Sequence, residues 1–285
     1  MIGKTRQQGT KAEIEETFDP EVGRARGILR QSWAAGKLRH CRRRPSRELA
    51  PWIAHYWMIE WDLRGCEPQV VESLPHPNVH LIFENGTAVV SGVQTRKFSR
   101  VLEGKAQVFG VKFRVGAFRP FFGGAVGKLA NRVVAGRRVF GEDLKALEKI
   151  VLGTSDLRRK IRATEEFFGP RLPNVDPLAR LAGELVERIL AEAEIRTVDD
   201  LVKRAGIGKR RLQRIFSEYV GASPKWVIRR YRLHELVEKL NAGGRIAWAE
   251  VAVELGYFDQ AHLINDFKVV VGQAPEEYRR RVRSG

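Results

Sequence analysis

Arg210, Gln213 and Arg214 fall inside an acid-free run from Leu201 to Ile215 that also carries Lys203, Arg204, Lys209 and Arg211. Their chemistry is recognition. The Arg fork pairs bidentately with guanine and the Gln amide with adenine, each contact giving about 1–3 kcal/mol of discrimination between bases. Gln260, Ala261, Ile264 and Asn265 form a second set at helical spacing.

Nothing comparable points to bond breaking. No nucleophile, base and orienting group fall together, and no Gly-rich phosphate loop follows a strand. His76 and His80 are four apart, but PHPNVHLIF reads as a Pro-rich turn entering a strand, with no further ligand at metal spacing nearby. Cys41 and Cys66 are the only cysteines, too few for a disulfide framework or a thiolate metal site. No catalytic residue, metal or cofactor is expected.

A net charge of +17 over 285 residues favours a polyanionic partner. Nucleic acid ranks ahead of membrane, because no basic amphipathic segment with a strong apolar face stands out. The apolar stretches fall short of the ~18 residues of a membrane span and the N-terminus lacks an apolar core, so a cytoplasmic protein with reduced thiols is expected. From Gly23 to Arg47 nine Lys or Arg occur with no acid, which reads as a mobile arm.

The elements that must hold the two recognition sets follow from changes in pattern. Residues 1–44 mix charges and Gly without a period and are expected to be a basic, disordered leader. Residues 45–168 read as a β-rich domain with closing helices: HYWMIEW, VHLIFENG, TAVVSGVQ and QVFGVKF are strand-like, and Asn85-Gly86 marks a hairpin. EDLKALEKIVLG and SDLRRKIRATEEFFG are helical, with Asp143 and Ser155 as cap candidates. GPRLPNVDP, residues 169–177, is the linker, and everything after it reads helical.

Within that last part, Leu212, Phe216, Gly221 and Pro224 recur as Leu263, Phe267, Gly272 and Pro275, each displaced by 51 residues. Leu and Phe four apart share a helix face, the Gly suits a left-handed helix end, and the Pro suits the start of the next helix. Gly206 and Gly256 close an upstream helix in each copy. The expected units are helix-turn-helices over 197–220 and 246–271, joined by a helix over 224–241. In the first, Leu212, Ile215 and Phe216 face inward; in the second, Leu263, Phe267 and Val270, with Asp259 as cap. A rod of roughly 27 Å can hold two recognition helices about one DNA turn apart, so that one chain touches two successive major-groove segments.

Residues 249–279, AEVAVELGYFDQAHLINDFKVVVGQAPEEYR, closely resemble the C-terminal signature of AraC/XylS-family transcriptional regulators, and the resemblance runs from about Asp176 to Arg283. It implies that Arg210, Gln213 and Arg214, with Gln260, Ala261, Ile264 and Asn265, face bases. Lys209, Arg211, His262 and Lys268 would then lie near phosphates. Gly208 replaces a frequent Ser cap, Asn265 a frequent Arg, and Asp266 adds a negative charge beside it.

PWIAHYWMIEWDL, ESLPHPNVHLIFENG and VFGVKFRVGAFRPFF resemble an uncharacterised β-rich domain found before such regions, with Val115 where Pro is frequent, and by fold analogy it is cupin-like. The fold class expected is α+β and multidomain: a β-rich cupin-like N-terminal domain, then an all-α, homeodomain-like double helix-turn-helix. Trp57 and Trp61 on one strand face, with Lys112 and Arg114, are the candidate ligand residues, against core packing and solvated charge.

The function expected is a sequence-specific transcriptional regulator on double-stranded DNA, with a small-molecule effector or homodimerisation assigned to the N-terminal domain and RNA polymerase as a partner if it activates. The alternatives are a DNA-targeted repair alkyltransferase, which needs a reactive Cys, and a nonspecific architectural binder driven by the basic arm.

Overall fold

The computed structural model describes residues 13–23, 27, 29, 36–174, 176–243 and 246–284. The strands are β1 (Glu13–Phe18), β2 (Lys37–Arg43), β3 (Ile53–Asp62), β4 (Gln69–Ser73), β5 (His80–Glu84), β6 (Thr87–Ser91), β7 (Phe98–Leu102), β8 (Lys105–Phe113) and β9 (Val133–Ala135). Seven form one sheet in the order β1-β2-β3-β8-β5-β6-β9, and β4 pairs with β7 as a separate ribbon. The β5–β6 hairpin turns at Asn85 and Gly86, both with positive φ (49° and 79°), the geometry that makes Asn-Gly favourable there.

Strand β3 carries large apolar residues on both faces because both are covered. Tyr56 and Met58 enter the main core with Cys41, Leu81, Phe83, Phe109 and Phe113, whereas Trp61 packs with Leu63, Leu102 and Val108 beneath the ribbon. The short helices α1 (Arg119–Phe122) and α2 (Arg137–Phe140) precede α3 (Leu144–Leu152) and α4 (Leu157–Phe168), which close the main core through Leu144, Leu147, Phe167 and Phe168. Asp156, not Ser155, caps α4 by accepting from the Arg158 N–H at 2.9 Å, and the Asp143 side chain makes no cap bond but pairs with Arg171.

The disordered leader is corrected over two stretches. Residues 13–18 and 37–43 are the parallel pair β1–β2 at the sheet edge, held by charge pairing as well as backbone bonds: Lys37–Glu13 at 2.9 Å and Arg39–Glu15 at 3.6 Å. Residues 1–12, 24–26, 28 and 30–35 of the leader lie outside the described residues. Cys41, placed in that arm by the sequence, is a fully buried core residue.

The C-terminal part is helical: α5 (Pro177–Ala191), α6 (Val198–Ala205), α7 (Lys209–Ile215) continuing as one π turn to Val220, α8 (Pro224–Ala242), α9 (Trp248–Glu254), α10 (Gln260–Val271) and α11 (Pro275–Ser284). Asp176 begins it, capping α5 through the Leu178 N–H while accepting from the Tyr219 hydroxyl at 2.8 Å. Two cores share α8. Val227, Ile228 and Tyr231 join the first unit with Leu212, Ile215 and Phe216, and Leu233, Leu236 and Leu240 join the second with Leu263, Phe267 and Tyr278.

Candidate nucleic-acid interface

In the first unit Thr197 caps α6 in a reciprocal capping box with Asp200, Gly206 ends it at φ +66°, and α7 follows after two residues. Leu212, Ile215 and Phe216 are buried, and Lys209, Arg210, Arg211, Gln213 and Arg214 are all exposed. The inner residues thereby fix which side of α7 meets solvent. Arg210, Arg211, Gln213 and Arg214 have no protein partner among the described residues, whereas Lys209 is bonded to Asp199 at 2.9 Å. Gly208 stands at the cap position without a side-chain bond, which forgoes only a few tenths of a kcal/mol relative to Ser.

In the second unit Gly256, φ +75°, turns α9 into α10, and Asp259 caps α10 by accepting from the His262 N–H at 2.7 Å. Gln260, Ala261, Asn265 and Lys268 are exposed, and Ile264 is half-buried. The His262 ring packs edge-on against Tyr257, 5.2 Å between centroids. Inward packing comes from Leu263, Phe267 and Val271; Val270 is only partly buried. Asp266 is corrected as well: it does not add a charge to the outer side but is buried against α8, accepting from Arg229 Nε at 2.6 Å and from Nη2.

The two units are tied together away from their outer sides. Arg196, before α6, donates to the Val253 carbonyl of α9 at 3.1 Å and lies against Gly256, and Arg232 of α8 donates to the Ile195 carbonyl at 2.8 Å. Sequence reasoning missed both arginines, since neither stands in the repeated pattern. It also missed Phe258, 91% exposed directly before the α10 cap.

The four ligand candidates are not brought together. Trp61 is core beneath the ribbon with Arg100 over its ring. Arg114 is exposed and donates to the Ala50 carbonyl. Trp57 and Lys112 share a region of the sheet with His80, to which Trp57 Nε1 donates at 3.2 Å. Among the described residues no cluster of three or more potential metal ligands occurs, and no helix is long and apolar enough to cross a membrane.

Residues 201–281 match a family described as a helix-turn-helix domain, and residues 42–135 match a domain of unknown function (DUF6597). Among curated proteins no sequence matches the chain. Similar solved structures include a transcriptional regulator with an AraC-type DNA-binding domain from Chromobacterium violaceum, 23% identical, covering 36% of this chain and 92% of that one with a TM-score of 0.32. Another is the C-terminal domain of AraT, a response regulator from Geobacillus stearothermophilus, 21% identical over 38% of this chain and 87% of that one, TM-score 0.32. A third, ToxT from Vibrio cholerae, is 10% identical over 75% of this chain and 98% of that one, TM-score 0.39. The chain therefore carries a helix-turn-helix domain at residues 201–281 behind a domain of unknown function at residues 42–135.

Proposed function

We propose that the protein is a sequence-specific transcriptional regulator that reads two successive major-groove segments of double-stranded DNA with α7 and α10. The observation that carries this is the duplicated corner: in each copy a Gly turn precedes a helix whose Leu and Phe are buried and whose polar side is open. Arg210, Gln213 and Arg214 then read bases from the first unit, and Gln260, Ala261, Ile264 and Asn265 from the second. Lys209, Arg211, His262 and Lys268 contact phosphates. The β domain serves effector sensing or dimerisation, and RNA polymerase is the further partner of an activator.

Two observations weigh on the alternatives. The alkyltransferase reading needs an accessible thiolate in a supporting site; Cys41 is fully buried among apolar residues, and Cys66, half-buried, packs against the apolar cluster of Trp61 and Leu63. A purely architectural binder would depend on the basic arm, yet within it Lys37, Arg39 and Arg44 pair with Glu13, Glu15 and Glu21.

Substitution separates the roles. Arg210→Ala and Arg214→Ala should each relax base preference by about 1–3 kcal/mol at the positions they read, while Arg211→Ala should weaken specific and random duplexes alike and lower the salt slope by about one. Competition binding with specific and random duplexes measures both, and equal losses for all three variants on both duplexes would contradict these assignments.

A further inference from the structure

Lys112 of β8 lies in register with His55 of β3 on one side and with His80 of β5 on the other. Three nitrogen-bearing side chains therefore stand abreast on the sheet face opposite the main core. Next along that face is Trp57, bonded to His80, and beside Trp57 in β2 is Arg42. Arg42 meets His55 Nε2 at 2.9 Å and donates to the Gly23 carbonyl at 2.8 Å. Gly110 keeps this row open for the indole, since a Cβ there would meet the Trp57 ring at 2.1 Å.

Helix α8 brings another cation within electrostatic reach of Lys112. Trp226, Arg230 and His234 recur every four residues along one stripe. The outer two touch the β domain: Trp226 donates to the Thr95 carbonyl at 3.4 Å, and the His234 ring lies 4.9 Å from that of His76. Arg230, between them, is 2% exposed, and none of its three guanidinium nitrogens has a hydrogen-bond partner. Among the described residues no carboxylate pairs with Arg230 or Lys112. Burial first, then the charges of Arg42 and Arg230, pushes the Lys112 pKa down to about 7, and burial holds that of Arg230 well below its ordinary value. A dry, unpaired guanidinium beside further cations is unfavourable unless a counter-charge arrives from outside.

We propose that this cluster, at the seam between the sheet and α8, binds a small-molecule anion through a carboxylate or phosphate group held by Arg230 and Lys112, with Trp57 and His80 at its flank. The planar fork of Arg230 suits two oxygens of either group, and Lys112 adds a point charge that is partly open to solvent. Lys112 belongs to the sheet and Arg230 to the helix shared by both reading units, so a bound anion ties the β domain to the reading head. On the reading of the protein as a regulator, that anion is its effector.

The full-length protein, without DNA, is titrated with acetate and separately with inorganic phosphate at constant ionic strength, following thermal unfolding and binding heat. Saturable stabilisation by one of them is expected, and the one that binds identifies the headgroup. Arg230→Met should abolish the response and Lys112→Met should weaken it about tenfold or more. Arg162→Gln, an exposed arginine on α4, should leave it unchanged. The free Arg230→Met protein should melt no lower than the parent, since an unpaired buried charge gives way to an apolar chain. No saturable response to either anion, a response that survives Arg230→Met, or an Arg230→Met protein that melts lower or does not fold would overturn the proposal. With no DNA present, each of these failures leaves the reading head untouched, and a missing base preference would leave the anion site untouched.

Discussion

Asp266 is 6% exposed and links α10 to α8 through its pair with Arg229. Directed outward, that carboxylate would repel phosphate; directed inward, it sets how α10 leaves the linker helix. Asp266→Asn should lower stability by about 2 kcal/mol, a charged hydrogen bond being worth about 1.5–3 and Arg229 being partly exposed, while base preference persists. Urea unfolding measures this, and an unchanged midpoint would contradict the structural role. His40 and His80 supply a second residue-scale expectation. Burial first, then the charge of Arg42 or Lys112, holds their pKa values down to about 4 and about 3. A base whose folded pKa lies below its unfolded value of about 6.5 binds fewer protons when folded. Stability is therefore fully present above about pH 6.5 and lost as pH falls toward 4 and 3. The unfolding midpoint should drop across that window, and His80→Gln should flatten the drop; a parent midpoint independent of pH there would refute it.

At the scale of elements, the glycine corners were legible because a left-handed helix end excludes most other residues, and Gly206, Gly221, Gly256 and Gly272 all have φ between 66° and 86°. Gly256 is the most constrained, since its added Cβ would also meet the Arg196 side chain at 2.7 Å. Gly256→Ala should cost about 1–2 kcal/mol from backbone conformation alone, and more from the collision; Asp259→Ala should cost about 1 kcal/mol through the lost cap. Chemical denaturation ranks the two, and the reverse order would be evidence against the corner. Strands β1 and β2 were illegible for a different reason. EIEETF and KLRHCRR carry too few apolar residues to alternate, and their pairing depends on Glu–Lys and Glu–Arg contacts across strands that local composition does not reveal. The candidate site was legible in the same uneven way. The outward placement of positions 210, 213 and 214 follows from a helix phase fixed by Leu212 and Phe216, but Arg230 reads as one more base in RRYRLH until folding buries it.

At the scale of the molecule, the β domain does not merely precede the helical domain. Val126 meets Gly221, Trp226 reaches Thr95, and Leu29 and Leu74 enter the core of the second unit. Both units thus rest on the β domain as well as on α8, whose 19 residues span about 28 Å at 1.5 Å per residue. On the proposed function, units tied in this way present α7 and α10 as one reading surface, with a spacing set by the protein before DNA arrives. The most direct test is a selection of randomised duplexes by the full-length protein at about 150 mM salt, where nonspecific charge binding is weakened. A bipartite motif with its halves about 10 base pairs apart is predicted. Enrichment of one half alone, or retention with no enrichment both with and without the anion, would contradict the double reading head.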